Sequence, residues 1–122
     1  MERRHRRSSD PCQALVYQFE ASRERANLDA MVLADDQGLC IASSGDPEVC
    51  EEIAAHMAIL GHTVPRFRGV FLTEQKLRWT MHMRRFSVAG AELCLCAVGG
   101  ATERRAEELV QSVGGTARIL AA

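Results

Sequence analysis

Two stretches of this chain carry no polar residue at alternate positions: Ala30-Met31-Val32-Leu33-Ala34 and Leu93-Cys94-Leu95-Cys96-Ala97-Val98. A strand with one face in water alternates apolar and polar side chains, because successive side chains point to opposite faces. Short runs with no alternation, bounded by turn residues, read as strands buried on both faces. That pattern demands a sheet covered on each side, and helices supply the cover.

The rest of the chain provides those helices. Asp10-Pro11 is an N-cap followed by proline at the first helical position, and Gln13 has capping-box spacing. Cys12, Leu15, Val16 and Phe19 then fall on one face, Ala26 continues it, and Asn27 is a plausible stop. Asp46-Pro47 repeats the signature, with Glu48, Glu51 and Glu52 near the positive end of the helix dipole. A third helix opens after Gly99-Gly100-Ala101 with Thr102 as N-cap, and presents Ala106, Leu109, Val110 and Val113. The pair Gly114-Gly115 is expected to interrupt it, since each glycine costs about 1 kcal/mol relative to alanine. The segment Arg118-Ile119-Leu120 is expected to dock back on the body.

Strands fill the gaps. Asp35-Asp36-Gln37-Gly38 joins Ala30–Ala34 to Leu39–Ala42 as a hairpin turn, so both strands should be covered on both faces. A short strand covers Val70 to Leu72. Trp79, Met81 and Met83 then alternate with Thr80, His82 and Arg84. Phe86 and Val88 are out of phase with that set, which predicts a bulge near Arg84-Arg85. Ala89-Gly90-Ala91 turns into the continuously apolar last strand. The order is α-β-β-α-β-β-β-α: a five-stranded, largely antiparallel sheet with helices on both faces.

Length and composition fit one such domain. The chain has 122 residues, 47% hydrophobic and 25% charged, with a net charge of −1. Arg3, Arg4, Arg6 and Arg7 against Glu2 put +3 on residues 1–9, leaving −4 on the remainder. Residues 1–9 read as a disordered Arg-rich tail and 10–122 as the folded domain. The near-neutral balance argues against a nucleic-acid binder. No run is long enough for a membrane span, and no apolar segment follows the basic start as a signal peptide requires. The odd set Cys12, Cys40, Cys50, Cys94 and Cys96 sits within apolar patterns, which suits reduced core thiols and a cytoplasmic protein.

No constellation carries catalysis. Cys94-x-Cys96 lacks a second pair or a histidine at ligand spacing, so no metal is expected. His56 reads as a boundary residue and His82 as exposed. Gly99-Gly100 lacks the lysine of a phosphate loop, and Asp35-Asp36 are turn formers. No nucleophile, base and oxyanion donor converge, and no cofactor is implied. The informative surplus lies on the middle helix. Its apolar residues span about 180°, although one sheet contact needs only about 100°. Ala54, Ala58 and Gly61 form a small-residue stripe, fitting either a partner helix or a groove of the same domain.

The hairpin Leu28–Ser44 resembles the first hairpin of the roadblock/dynein light-chain family. Arg84–Leu93, running into Ala97-Val98-Gly99-Gly100, is similar to the last strand pair of its bacterial members, and Gly114–Leu120 to their C-terminus. The resemblance implies an α+β, three-layer α/β/α sandwich of roadblock/profilin-like type. It also implies a homodimer, joined through the middle helix and an edge strand. Family members are non-catalytic scaffolds or regulators of small Ras-like GTPases, or dynein light chains. Bacterial relatives include a stimulator of the polarity GTPase of gliding motility. Placed on this sequence, the dimer interface is expected at Cys50, Ala54, Met57, Ala58, Gly61, Val70 and Leu72. A GTPase partner is expected to meet Glu51, Ala55, Ile59, Arg84 and Arg85. The alternative is a light-chain-like tether that ignores the nucleotide state.

Overall fold

Asp10 and Asp46 start their helices as their side chains dictate. Asp10 Oδ1 accepts from the Gln13 amide at 3.2 Å, and Asp46 Oδ1 from the Glu48 amide at 2.9 Å. The computed structural model describes residues 10–72 and 78–121. The Arg-rich tail and the polar residues 73–76 lie outside them. The elements are α1 (Pro11–Ala26), β1 (Ala30–Asp35), β2 (Cys40–Ser44), α2 (Pro47–Thr63), β3 (Arg66–Leu72), β4 (Arg78–Val88), β5 (Ala91–Val98) and α3 (Thr102–Ala121). They form one sheet in the order β2-β1-β5-β4-β3, with every pair antiparallel. The element order and class are those read from the sequence.

The two unalternated runs lie side by side near the middle of the sheet, from Ala30 opposite Val98 to Asp35 opposite Leu93. Helix α2 covers one face, where Val32, Cys94, Cys96, Met81 and Met83 meet Ile53 and Met57. Helices α1 and α3 cover the other, where Met31, Leu33, Leu95 and Ala97 meet Leu15, Phe19 and Leu109. Each fully buried Leu or Met contributes about 1.5–3 kcal/mol by leaving water. Both α1 and α2 pack on β2, yet Cys40, Ile41 and Ser43 are only half-buried, because β2 is an edge strand.

Several local expectations are corrected. Strand β3 begins at Arg66, four residues before the predicted start. Strand β4 pairs without a register shift through Arg84 and Arg85, so the bulge is absent. The phase slip has another cause. Met81 and Met83 face α2, whereas Phe86 and Val88 reach the opposite core, which is also covered. The register shift lies instead between Leu33 and Ala34.

Helix α3 runs unbroken through Gly114-Gly115 to Ala121. A Cβ on Gly115 would overlap the Gln18 side chain, so the glycine lets α1 and α3 approach closely. Ile119 and Leu120 do pack on the body, but as the helix's last turn. The first helical hydrogen bond runs from the Arg105 amide to the Ala101 carbonyl, so Thr102 is the first helical residue and not its cap.

The buried face of α3 also differs from Ala106-Leu109-Val110-Val113. It comprises Arg105, Glu108, Leu109, Ser112, Gly115 and Thr116, and Val110 is 61% exposed. Polar partners make this burial tolerable. Glu108 takes a bidentate pair from Arg25, both bonds 2.8 Å, and Ser112 bonds Ser22 at 3.2 Å. Cys12 is exposed, Cys40 half-buried, and only Cys50, Cys94 and Cys96 fill the core. Burial pushes the Cys96 thiol far up, so it stays protonated and inert.

Candidate partner interface

Helix α2 is amphipathic in the structure as well as in the sequence. Cys50, Ile53, Ala54, Met57 and Gly61 turn inward. Glu51, Ala55 and Ile59 recur four residues apart on the opposite, solvent face. Ile59 is 69% exposed. His56 is exposed as well, and its ring meets Phe71 of β3 edge-on at 4.4 Å. That contact ties the outer flank of α2 to the last strand of the sheet.

Among the described residues strand β3 pairs only with β4, so its other edge is open. On it Val70 is 45% and Leu72 58% exposed. The open edge lies at the far end of the sheet from the β1–β2 hairpin, whose Gly38 abuts Ala55 and Ala58, and His56 is the α2 residue seen to reach toward it.

The seven residues expected at a dimer interface divide between inside and outside. Cys50, Ala54 and Met57 are at most 1% exposed within a single chain, so they have no surface left to give a partner. A Cβ on Gly61 would come 2.7 Å from Cys94 Sγ, so this glycine seats α2 on its own sheet. Ala58 is half-buried, and a Cβ on Gly38 would come 3.2 Å from its own Cβ. The stripe Ala54, Ala58, Gly61 thus packs inside the domain. Ala58, Val70 and Leu72 keep accessible surface.

Arg84 and Arg85 do not act as a pair. On a regular strand, neighbours point to opposite faces. Arg85 reaches under the end of α2, where its guanidinium donates to the Gly61 carbonyl. Its backbone amide bonds the Pro65 carbonyl at 2.8 Å, and its Nε lies 3.9 Å from Glu92. A cation at a helix C-terminus satisfies orphan carbonyls and suits the dipole. Arg84 faces α3 instead.

Sequence reasoning missed Arg105, the largest fully buried side chain. Its Nε donates to His82 Nδ1 at 2.8 Å, and its Nη1 to the carbonyls of Gly99 and Gly100 at 2.8 and 3.0 Å. His82 is therefore half-buried and engaged, not exposed as its position in the alternation suggested. Both glycines hold positive φ, which leaves their carbonyls for a side chain to satisfy. An arginine five residues after a Gly-Gly turn is the available signal.

A pocket of about 250 Å³ opens beside the end of α2, where Asp36 and Glu92 face His62 and Arg85. Among the described residues, no group of three or more His, Cys, Asp or Glu is placed to hold a metal ion. No described helix is long and apolar enough to cross a membrane.

This architecture is the roadblock fold. The chain is similar to MglB in a tetrameric arrangement, with a TM-score of 0.70, 17% identity and 89% of each chain covered. It is similar to the gliding protein MglB of Thermus thermophilus, with a TM-score of 0.66, 17% identity, and 89% of this chain and 90% of that one covered. A Roadblock/LC7 domain from Streptomyces avermitilis gives 0.63 at 17% identity, covering 88% of this chain and 98% of that one. No protein-family model and no curated protein matches the sequence. The fold agrees with the family that the hairpin and strand motifs resemble.

Proposed function

We propose that this chain is a non-catalytic, dimeric scaffold or regulator of a small Ras-like GTPase. The observation that carries the reading is the outward, exposed stripe Glu51-Ala55-Ile59 together with the open edge of β3, in a domain whose fold is that of the gliding protein MglB. In this reading two chains meet along the open edge of β3, through Val70 and Leu72, while Ala58 lies on the far flank of α2 against the β1–β2 turn. The GTPase then meets Glu51, Ala55 and Ile59. The site holds hydrophobic and charged contact residues but no assembled acid, base or nucleophile, so its action is by contact.

A specific observation favours the second reading, a tether blind to nucleotide state. An activator that donates an arginine needs one free to reach the transferred phosphoryl group. Arg85 is occupied with Gly61 and lies beside Glu92, and Arg84 lines the groove against α3, on the face of the sheet away from the Glu51-Ala55-Ile59 stripe. If the chain stimulates hydrolysis, it does so by ordering groups of the GTPase itself.

The discriminating experiment immobilises the chain and offers Ras-like GTPases from the same organism, loaded with GDP or a non-hydrolysable GTP analogue. Retention in one state that Ile59→Glu abolishes supports the regulator. Equal retention in both states supports the tether. No retention in either state contradicts both.

A further inference from the structure

A second surface, on the opposite face of the sheet from α2, is built around unneutralised positive charge. Strands β3 and β4 place Arg66 directly opposite Arg84, and Arg68 directly opposite His82. Like charges at facing positions repel and weaken a strand pair. No salt bridge offsets them: the ion pairs among the described residues are Arg25–Glu108 and Arg85–Glu92.

The charge continues into the protein. His82 accepts from Arg105, and the other bonds of that buried guanidinium go to the Gly99 and Gly100 carbonyls and, at 3.4 Å, the Thr102 hydroxyl. All these acceptors are neutral, so a buried positive charge persists beneath the surface arginines. Its field is weakly screened there.

Arg66, Arg68, His82 and Arg84 line a groove of about 220 Å³ between the β3–β4 pair and α3. The α3 wall is apolar, made by Ala106, Leu109 and the largely exposed Val110. Folding alone does not require three arginines beside an exposed valine.

We infer that this groove docks an acidic peptide segment of a partner protein, its carboxylates on Arg66, Arg68 and Arg84 and an apolar side chain against Val110. Charge complementarity selects the occupant. Guanidinium forks match carboxylates in bidentate geometry. A nucleic acid fits less well. The net charge of the folded portion is negative, and the aromatic residue in the groove's lining, Phe67, is half-buried and packs into the α2-side core, which leaves it a poor platform for bases. The inference does not rest on the GTPase contact, which uses Glu51, Ala55 and Ile59 on α2 across the sheet.

The test is fluorescence anisotropy of the full chain with a labelled peptide of alternating Glu and Leu. Its Lys–Leu counterpart, an oligodeoxythymidylate and phosphatidylserine vesicles are the competing probes. The expected result is binding of the Glu–Leu peptide that weakens with salt and is absent for the Lys–Leu peptide. The double variant Arg66→Glu/Arg84→Glu should lower that affinity by about tenfold or more. Arg66→Gln/Arg84→Gln, a milder change checked for folding by circular dichroism, should lose part of it. Arg118→Glu, elsewhere on α3, should keep it, and so should Ile59→Glu. Absence of peptide binding, undiminished binding by the folded double variants, or tighter binding of the oligonucleotide or vesicles would overturn the inference. So would a change in oligomeric state on altering Arg66 and Arg84, which would assign the groove to a second copy.

Discussion

The Arg105 guanidinium donates a 2.8 Å hydrogen bond from Nε to Nδ1 of His82. This contact links α3 to β4 and requires His82 to keep Nδ1 unprotonated. Burial, then the charges of Arg105 and Arg68, hold His82 below its ordinary value of 6.5. Below that value the unfolded chain takes up a proton that the folded chain refuses. Stability is therefore full above about pH 6.5 and falls as pH drops toward the lowered folded value. Urea unfolding across this range should show the decline, and His82→Gln, which keeps an acceptor, should flatten it.

Arg105 itself anchors the turn into α3. Arg105→Ala leaves the buried Gly99 carbonyl and the part-buried Gly100 carbonyl without this partner and opens a cavity at a fully buried side chain, at an expected cost of about 2–4 kcal/mol. Arg105→Lys keeps the charge but loses the fork, and should cost about 1–2 kcal/mol. Urea denaturation at neutral pH measures both. Equal stability of the alanine variant and the parent would refute the anchoring role.

Two helical glycines should respond to alanine with opposite signs. At Gly114 the new Cβ meets Arg118 at an ordinary 3.5 Å, so helix propensity decides, and Gly114→Ala should stabilise by about 0.5–1 kcal/mol. At Gly61 the Cβ would lie 2.7 Å from Cys94 Sγ in the packed core. Overpacking there outweighs the propensity gain, and Gly61→Ala should destabilise by about 1 kcal/mol or more. Thermal unfolding of the two variants provides the comparison.

Glu108 is 3% exposed and gripped by Arg25 through two 2.8 Å bonds. The Arg25 hydrogen bonds hold its carboxyl below the usual range. Its contribution is present above the unfolded carboxylate value and is lost as pH falls through the lowered folded value. Because Arg25 is half-exposed, solvent discounts the pair, and Glu108→Ala should cost about 1–2 kcal/mol at neutral pH. That difference should shrink in acid, as urea titrations at the two pH values would record.

The legible parts of the fold are those that use local or periodic signals. Asp10 and Asp46 announced two helices, and the unalternated runs announced the sheet's buried middle. The buried face of α3 was hidden because its burial is polar. Glu108 finds its partner in Arg25, 83 residues away, and hydrophobic periodicity carries no record of such a pair. Gly115 looked like a helix breaker because its reason, the nearby Gln18, lies on another helix. Arg84 and Arg85 seemed out of phase because both faces of β4 are covered and its apolar residues change sides. On α2 the surplus apolar arc was visible, but its use was not. Gly38 and Cys94 take up much of the stripe within the domain, and the outer residues Ala55 and Ile59 stay exposed.

In the proposed working unit two chains meet along the open edge of β3. Multi-angle light scattering of the full chain tests it most directly. The predicted result is twice the mass of one chain, falling to a single mass in Val70→Lys/Leu72→Lys, since lysines on an edge strand oppose edge-to-edge pairing. A parent chain that stays monomeric at micromolar concentration, or a dimer indifferent to both lysines, would contradict it.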